Sequence, residues 1–154
     1  MNPIKKILLV EDDPKDVELT LTALADYQLT NAVDVARDGA EALDYLYRRG
    51  KFQTREGHNP AVIILDLKLP KVSGLEVLRQ VKADEKLKGV PIVVLTSSRE
   101  EQDLITSYQL GVNAYVVKPV DFHKFVEAVK TLGVFWAVLN EAPLTEPKSV
   151  PEAP

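Results

Sequence analysis

The sequence predicts an α/β fold: a doubly wound, five-stranded parallel sheet in the strand order 2-1-3-4-5. Three observations carry that expectation. Short β-branched runs alternate with longer helical patterns along the chain, and such alternation builds a parallel sheet with helices on both faces. The runs are apolar without alternation, as strands buried on both sides are. Right-handed crossovers then leave few topologies, and in doubly wound sheets of this kind ligands bind at the carboxyl ends of the strands.

The elements follow in order. Ile7-Leu8-Leu9-Val10 is the first strand and runs into Glu11-Asp12-Asp13. Pro14 opens a helix with Asp13 as its cap, and Val17, Leu21 and Leu24 recur on one face. A second strand is expected over 32–36, then a turn at Asp38-Gly39 and a helix marked by Ala42, Leu43 and Leu46. Residues 49–60 are polar, with two glycines and a proline, and read as a long surface loop. The third strand is 61–65, and Leu75, Leu78 and Val81 mark the third helix. The fourth strand is 91–95. Leu104, Ile105 and Tyr108 suggest the fourth helix, with Gly111 placed to cap its end. The fifth strand is 114–117, and a stripe from Phe122 to Leu139 traces a long fifth helix.

The length of 154 residues suits one domain, expected over 1–140. Four prolines in the polar stretch 141–154 read as a disordered tail. The net charge of −4 argues against a nucleic-acid or membrane surface as the main partner. There is no cysteine, which removes disulfides and thiol chemistry and suits a reducing cytosol. No signal peptide is legible, and no apolar stretch approaches the roughly 20 residues that span a bilayer. The expected location is therefore cytoplasmic.

The polar residues at the strand ends carry the chemistry. The first strand delivers Glu11, Asp12 and Asp13, the third Asp66, the fourth Thr96 and Ser97, and the fifth Lys118-Pro119. Any one of these alone would read as a helix cap or a solvated turn. Together they bring acids, hydroxyls and a lysine to one rim. Carboxylates from neighbouring strands repel unless a cation joins them. An all-oxygen ligand set suits Mg²⁺. An Asp66 flanked by Mg²⁺ and Lys118 has what a carboxylate needs to attack a phosphoryl group, with Thr96 able to meet the charge on the transferring oxygens.

The set is similar to the receiver domains of bacterial two-component response regulators. It comprises Glu11-Asp12 after the first strand, Asp66 followed by Pro70 and Gly74, then Thr96, Tyr115 and Lys118-Pro119, and the likeness runs from Lys5 to about Leu139. The resemblance implies the flavodoxin-like receiver fold and a single-domain regulator phosphorylated on Asp66 by a sensor histidine kinase. It implies Mg²⁺ held by Asp12, by Glu11 through water, by Asp66 and by the carbonyl of Lys68. It also implies Thr96 and Tyr115 as a switch pair and a cis Lys118-Pro119 peptide. Such a protein is no enzyme beyond its own phosphorylation and dephosphorylation.

Two departures stand out. Ser97 occupies a position that is usually alanine or glycine, and the 49–60 loop is longer than usual. That loop, the absence of an output domain, and Phe135-Trp136 on an extended fifth helix resemble the small regulators that pair with bacterial phytochrome kinases. After Leu139 no room remains for a DNA-binding domain, so output is expected by protein contact or by relay to a phosphotransfer protein. Phe122 to Leu139 makes close to five helical turns, more than the about four needed to cross the sheet, which leaves Phe135 and Trp136 to anchor a homodimer.

Other readings are weaker. A haloacid-dehalogenase-type phosphohydrolase needs an aspartate two residues after its nucleophile, where this chain has Lys68. A flavin carrier needs a phosphate loop after the first strand, where three acids would repel it. An adaptor that has lost its chemistry would not keep the full acid, hydroxyl and lysine set. His58 and His123 lack a neighbouring carboxylate cluster in sequence and read as solvated.

Overall fold

The computed structural model describes residues 6–25, 32–107, 110–112 and 114–132. Its elements run β1 (Ile7–Val10), α1 (Pro14–Ala25), β2 (Val33–Ala36), α2 (Gly39–Tyr47), β3 (Val62–Asp66), α3 (Gly74–Ala83), β4 (Ile92–Thr96), α4 (Arg99–Ser107), β5 (Ala114–Val117) and α5 (Phe122–Leu132). All strand pairs are parallel and the order is β2-β1-β3-β4-β5. This is the flavodoxin-like receiver fold the sequence predicts.

Successive strand residues point to opposite faces, so one apolar strand fills two cores. Leu8, Val10, Ile63, Leu65 and Val94 pack beneath α2, α3 and α4 with Leu43, Leu78 and Ile105. Ile7, Leu9, Ile64, Val93 and Val116 pack beneath α1 and α5 with Val17, Leu24 and Phe125. The four residues of β1 and the first four of β3 have no solvent exposure at all, which accounts for their unbroken apolar runs.

Side-chain caps start helices at the expected Asp13 and also at Asp38 and Ser73. Asp13 Oδ1 accepts the Lys15 N–H at 2.8 Å at the start of α1. Asp38 accepts from Glu41 N at 2.7 Å, and the Glu41 carboxylate reaches back to the Arg37 N–H at 2.8 Å, a pairing close to a capping box. Ser73 accepts from Glu76 N at 3.1 Å to start α3.

Two details differ from the expectation. The third and fourth strands each extend one residue further, to Asp66 and Thr96, because ladder hydrogen bonds belong to the backbone and ignore the polar side chain. The 49–60 stretch is organised: it opens with a 3₁₀ turn, Gly50–Phe52, and two arginines then bind its carbonyls. Arg48 donates to Arg55 O and Gly57 O, while Arg55 lies 4.0 Å from the Tyr45 ring centroid and donates to Tyr45 O. Gly111 takes the left-handed conformation expected of a cap (φ +72°), and Tyr108, expected in the fourth helix, lies outside the described residues. Residues 133–154, which include Phe135, Trp136 and the expected tail, lie outside the described residues.

Candidate functional site

The parallel sheet puts every strand's carboxyl end on one rim. Backbone ladders continue just past two strands and fix the first residue beyond each. Glu11 N donates to Ala36 O at 3.0 Å, and Lys118 N donates to Thr96 O at 2.9 Å. The backbones of Glu11 and Lys118 are therefore held almost as firmly as those of strand residues. Asp66 ends β3 and is 5% exposed, and Thr96 ends β4 and is fully buried.

These side chains meet. Lys118 Nζ lies 2.9 Å from Asp66 Oδ2 and 3.0 Å from Asp16 Oδ2, both as hydrogen bonds. It lies 3.0 Å from Glu11 Oε1 in an ion pair that lacks hydrogen-bond direction, so this buried oxygen has no hydrogen-bond donor among the described residues. Burial works against the Lys118 ammonium, but its close contacts with the carboxylates of Asp66, Glu11 and Asp16 outweigh that and hold its pKa above the ordinary lysine value. At Glu11 burial prevails. Burial, opposed by Lys118 and reinforced by the negative charge of Asp66, pushes its carboxyl up to about 7.

Glu11, Asp12 and Asp66 each offer a carboxylate oxygen within 4.8 Å of the others. Two of the three are buried and Asp12 is exposed. Such crowding of buried negative charge, all oxygen and short of donors, fits a hard divalent cation of the Mg²⁺ type. Two residues after Asp66 the chain turns back on it: Lys68 N donates to Asp66 Oδ1 at 3.3 Å. Gly74 then lies so close to the strand that an added Cβ would be 2.1 Å from the Asp66 carbonyl oxygen. Thr96 Oγ1 is buried with no hydrogen-bond partner among the described residues. Tyr115, paired in register with Val94 two residues before Thr96, is half-buried against the core under α4. The Lys118-Pro119 peptide is cis, as the resemblance implies.

The structure thus brings together Glu11, Asp12, Asp66 and Lys118. It leaves His58 and His123 exposed and apart from the groups that meet Lys118. Asp13 serves as a helix cap. Sequence reasoning missed Asp16. An acid in the first turn of a helix is the ordinary complement of the helix dipole, and nothing in its spacing marks it as a lysine partner. It also missed the tie that Ser97 makes, donating from its N–H and hydroxyl to Glu101, whose carboxylate pairs with Lys68 Nζ at 3.3 Å. Among the described residues, no helix is long and apolar enough to cross a membrane.

Comparison with known proteins agrees with this geometry. Residues 7–130 match the family model of the response regulator receiver domain. A solved structure of the bacteriophytochrome response regulator AtBRR has a TM-score of 0.84 at 63% identity, covering 91% of this chain and 100% of that one. The phosphorylated cyanobacterial phytochrome response regulator RcpA has a TM-score of 0.70 at 41% identity, covering 87% and 94%. The response regulator Rcp1 of Synechocystis is 38% identical over 135 residues, 88% of this chain and 90% of its own. Its Mn²⁺-bound form has a TM-score of 0.68, covering 86% and 94% of the two chains. By fold, by site and by these relatives, the chain belongs to the response regulator receiver family.

Proposed function

We propose that this chain is a phosphoacceptor switch that takes a phosphoryl group on Asp66 from a sensor histidine kinase and signals by changed protein contacts. A carboxylate oxygen of Asp66 forms the new O–P bond while the P–N bond of the kinase phosphohistidine breaks. Lys118 Nζ, already 2.9 Å from Asp66, meets charge on the transferred group, and the buried Thr96 hydroxyl donates to a phosphoryl oxygen. Glu11, Asp12, Asp66 and the Lys68 carbonyl would hold Mg²⁺. When bound, the ion would neutralise charge on the phosphoryl oxygens. Movement of Thr96 toward the phosphate frees space for Tyr115 and shifts the population of the face formed by α4, β5 and α5. The chain catalyses only its own phosphorylation and dephosphorylation.

The observation that carries this reading is the meeting of three carboxylates and Lys118 at one rim, where the fourth strand ends in a buried hydroxyl without a partner among the described residues. The phosphorylated RcpA and the Mn²⁺-bound Rcp1 support it by analogy. The bacteriophytochrome regulator AtBRR supports a kinase of the phytochrome type. A homodimer through the α4-β5-α5 face belongs to the same proposal, and Val117 on β5 leaves 45% of its surface exposed there. The test is incubation with acetyl phosphate and Mg²⁺. One phosphoryl group should be gained, and hydroxylamine should remove it, as it does an acyl phosphate. An adduct that survives hydroxylamine, or none at all, would overturn the reading.

A further inference from the structure

We infer that Asp16 is a positioning residue for Lys118: it holds the ammonium in place by a bond that does not depend on the metal-binding carboxylates. The inference rests on the proposed phosphoacceptor function and deepens it. Lysine ends in a point charge on a flexible four-carbon stem, so its direction is set by what surrounds it. Three carboxylates surround this one, on β3 (Asp66, 2.9 Å), just after β1 (Glu11, 3.0 Å) and in the first turn of α1 (Asp16, 3.0 Å). Glu11 and Asp66 belong to the group able to share a cation, and Asp16 does not.

A divalent cation entering among Glu11, Asp12 and Asp66 competes with Lys118 for two of its three partners. It also repels the ammonium. Asp16 is the partner left to Lys118 alone. It links the start of α1 to the end of β5, 102 residues away, and with 29% of its side chain exposed it is the most accessible of the three partners. The lysine therefore keeps one fixed bond while it turns a proton toward the incoming phosphoryl group.

The test uses the full chain in three forms, wild type, Asp16→Ala and Asp16→Asn, with two measurements. The first is the rate of phosphorylation by acetyl phosphate across a Mg²⁺ titration. Asp16→Ala should lower the rate at saturating Mg²⁺ about tenfold, short of the roughly 100-fold that a 1 Å misplacement of a reacting group can cost. Asp16→Asn, whose amide oxygen still accepts from the ammonium, should restore most of it. The second is the Lys118 ¹⁵Nζ signal, recorded with Mg²⁺ and no phosphoryl donor. It should persist in wild type and Asp16→Asn and broaden by solvent exchange in Asp16→Ala.

A rate and an ammonium signal unchanged in Asp16→Ala would overturn the inference. So would a rate loss that excess Mg²⁺ fully recovers, because Asp16 would then act on the metal. If the wild type takes no phosphoryl group, the proposed function fails instead, and the ammonium signal alone still decides whether Asp16 holds Lys118.

Discussion

Replacing Gly74 with alanine should damage both the fold and the site, because the space its side chain would need is already filled by the backbone of Asp66 and Leu67. The added carbon would lie 2.1 Å from the Asp66 carbonyl oxygen and 2.6 Å from the Leu67 Cα. Real contacts of that kind do not fall below 3.0 Å, so at least 0.9 Å must open. Neither side yields readily. Asp66 is laddered in β3, and Gly74 N is bonded to Leu67 O at 3.0 Å. Overpacking a tight site costs about 1–3 kcal/mol, and a clash with backbone on both sides belongs at the top of that range. For a chain of this size, about 3 kcal/mol lowers the melting temperature by about 6–12 °C. Gly89→Ala is the control. Nothing lies within 4 Å of its new carbon, and its effect should stay within about 0.5 kcal/mol. Thermal melts measure the first effect, and the acetyl phosphate rate of the still-folded fraction measures the second, which should fall as Asp66 is displaced. If Gly74→Ala melted with Gly89→Ala and took phosphate at the wild-type rate, the close approach would not be what positions Asp66.

Asp12→Ala should weaken Mg²⁺ binding severely, whereas Asp13→Ala should mainly cost the α1 cap, about 1 kcal/mol; titration calorimetry and urea melts separate the two. Glu41 sits below the ordinary carboxylate range: burial opposes this, but the Arg37 N–H and Lys51 prevail. Its stabilisation is therefore fully present above pH 4.5, the ordinary value, and is lost as pH falls through the lower folded value. Glu41→Gln should cost about 1 kcal/mol at pH 7, with the gap to wild type closing in melts at strongly acidic pH. Thr96→Ala should still accept phosphate but transmit little of it, so the amide shifts that phosphorylation causes on β5 and α5 should shrink sharply.

The fold was legible because its signals are local and repeated. The apolar runs of β1, β3 and β4 are buried on both faces and alternate with helices, the first of which starts at its expected cap, Asp13. Asp66, Lys118 and Glu11 were legible for a related reason: a parallel sheet sends every strand end to one rim, so position along the strand becomes position in space. Asp16 has no such address. Its contact with Lys118 closes over 102 residues and depends on how α1 packs beside β5, which no spacing along the chain encodes. The 49–60 stretch looked like a plain loop because its order comes from arginine side chains binding carbonyls. A polar composition says nothing of that. Ser97 was noticed as a departure, but its tie to Glu101 and through it to Lys68 needed the structure.

The central claim is that Asp66 carries the phosphoryl group. Intact mass spectrometry of the wild type and of Asp66→Asn, after acetyl phosphate and Mg²⁺, decides it. The wild type should gain one phosphoryl mass and the asparagine variant none, because its side chain keeps the size of Asp66 but lacks the attacking carboxylate. The same adduct on Asp66→Asn would refute the assignment.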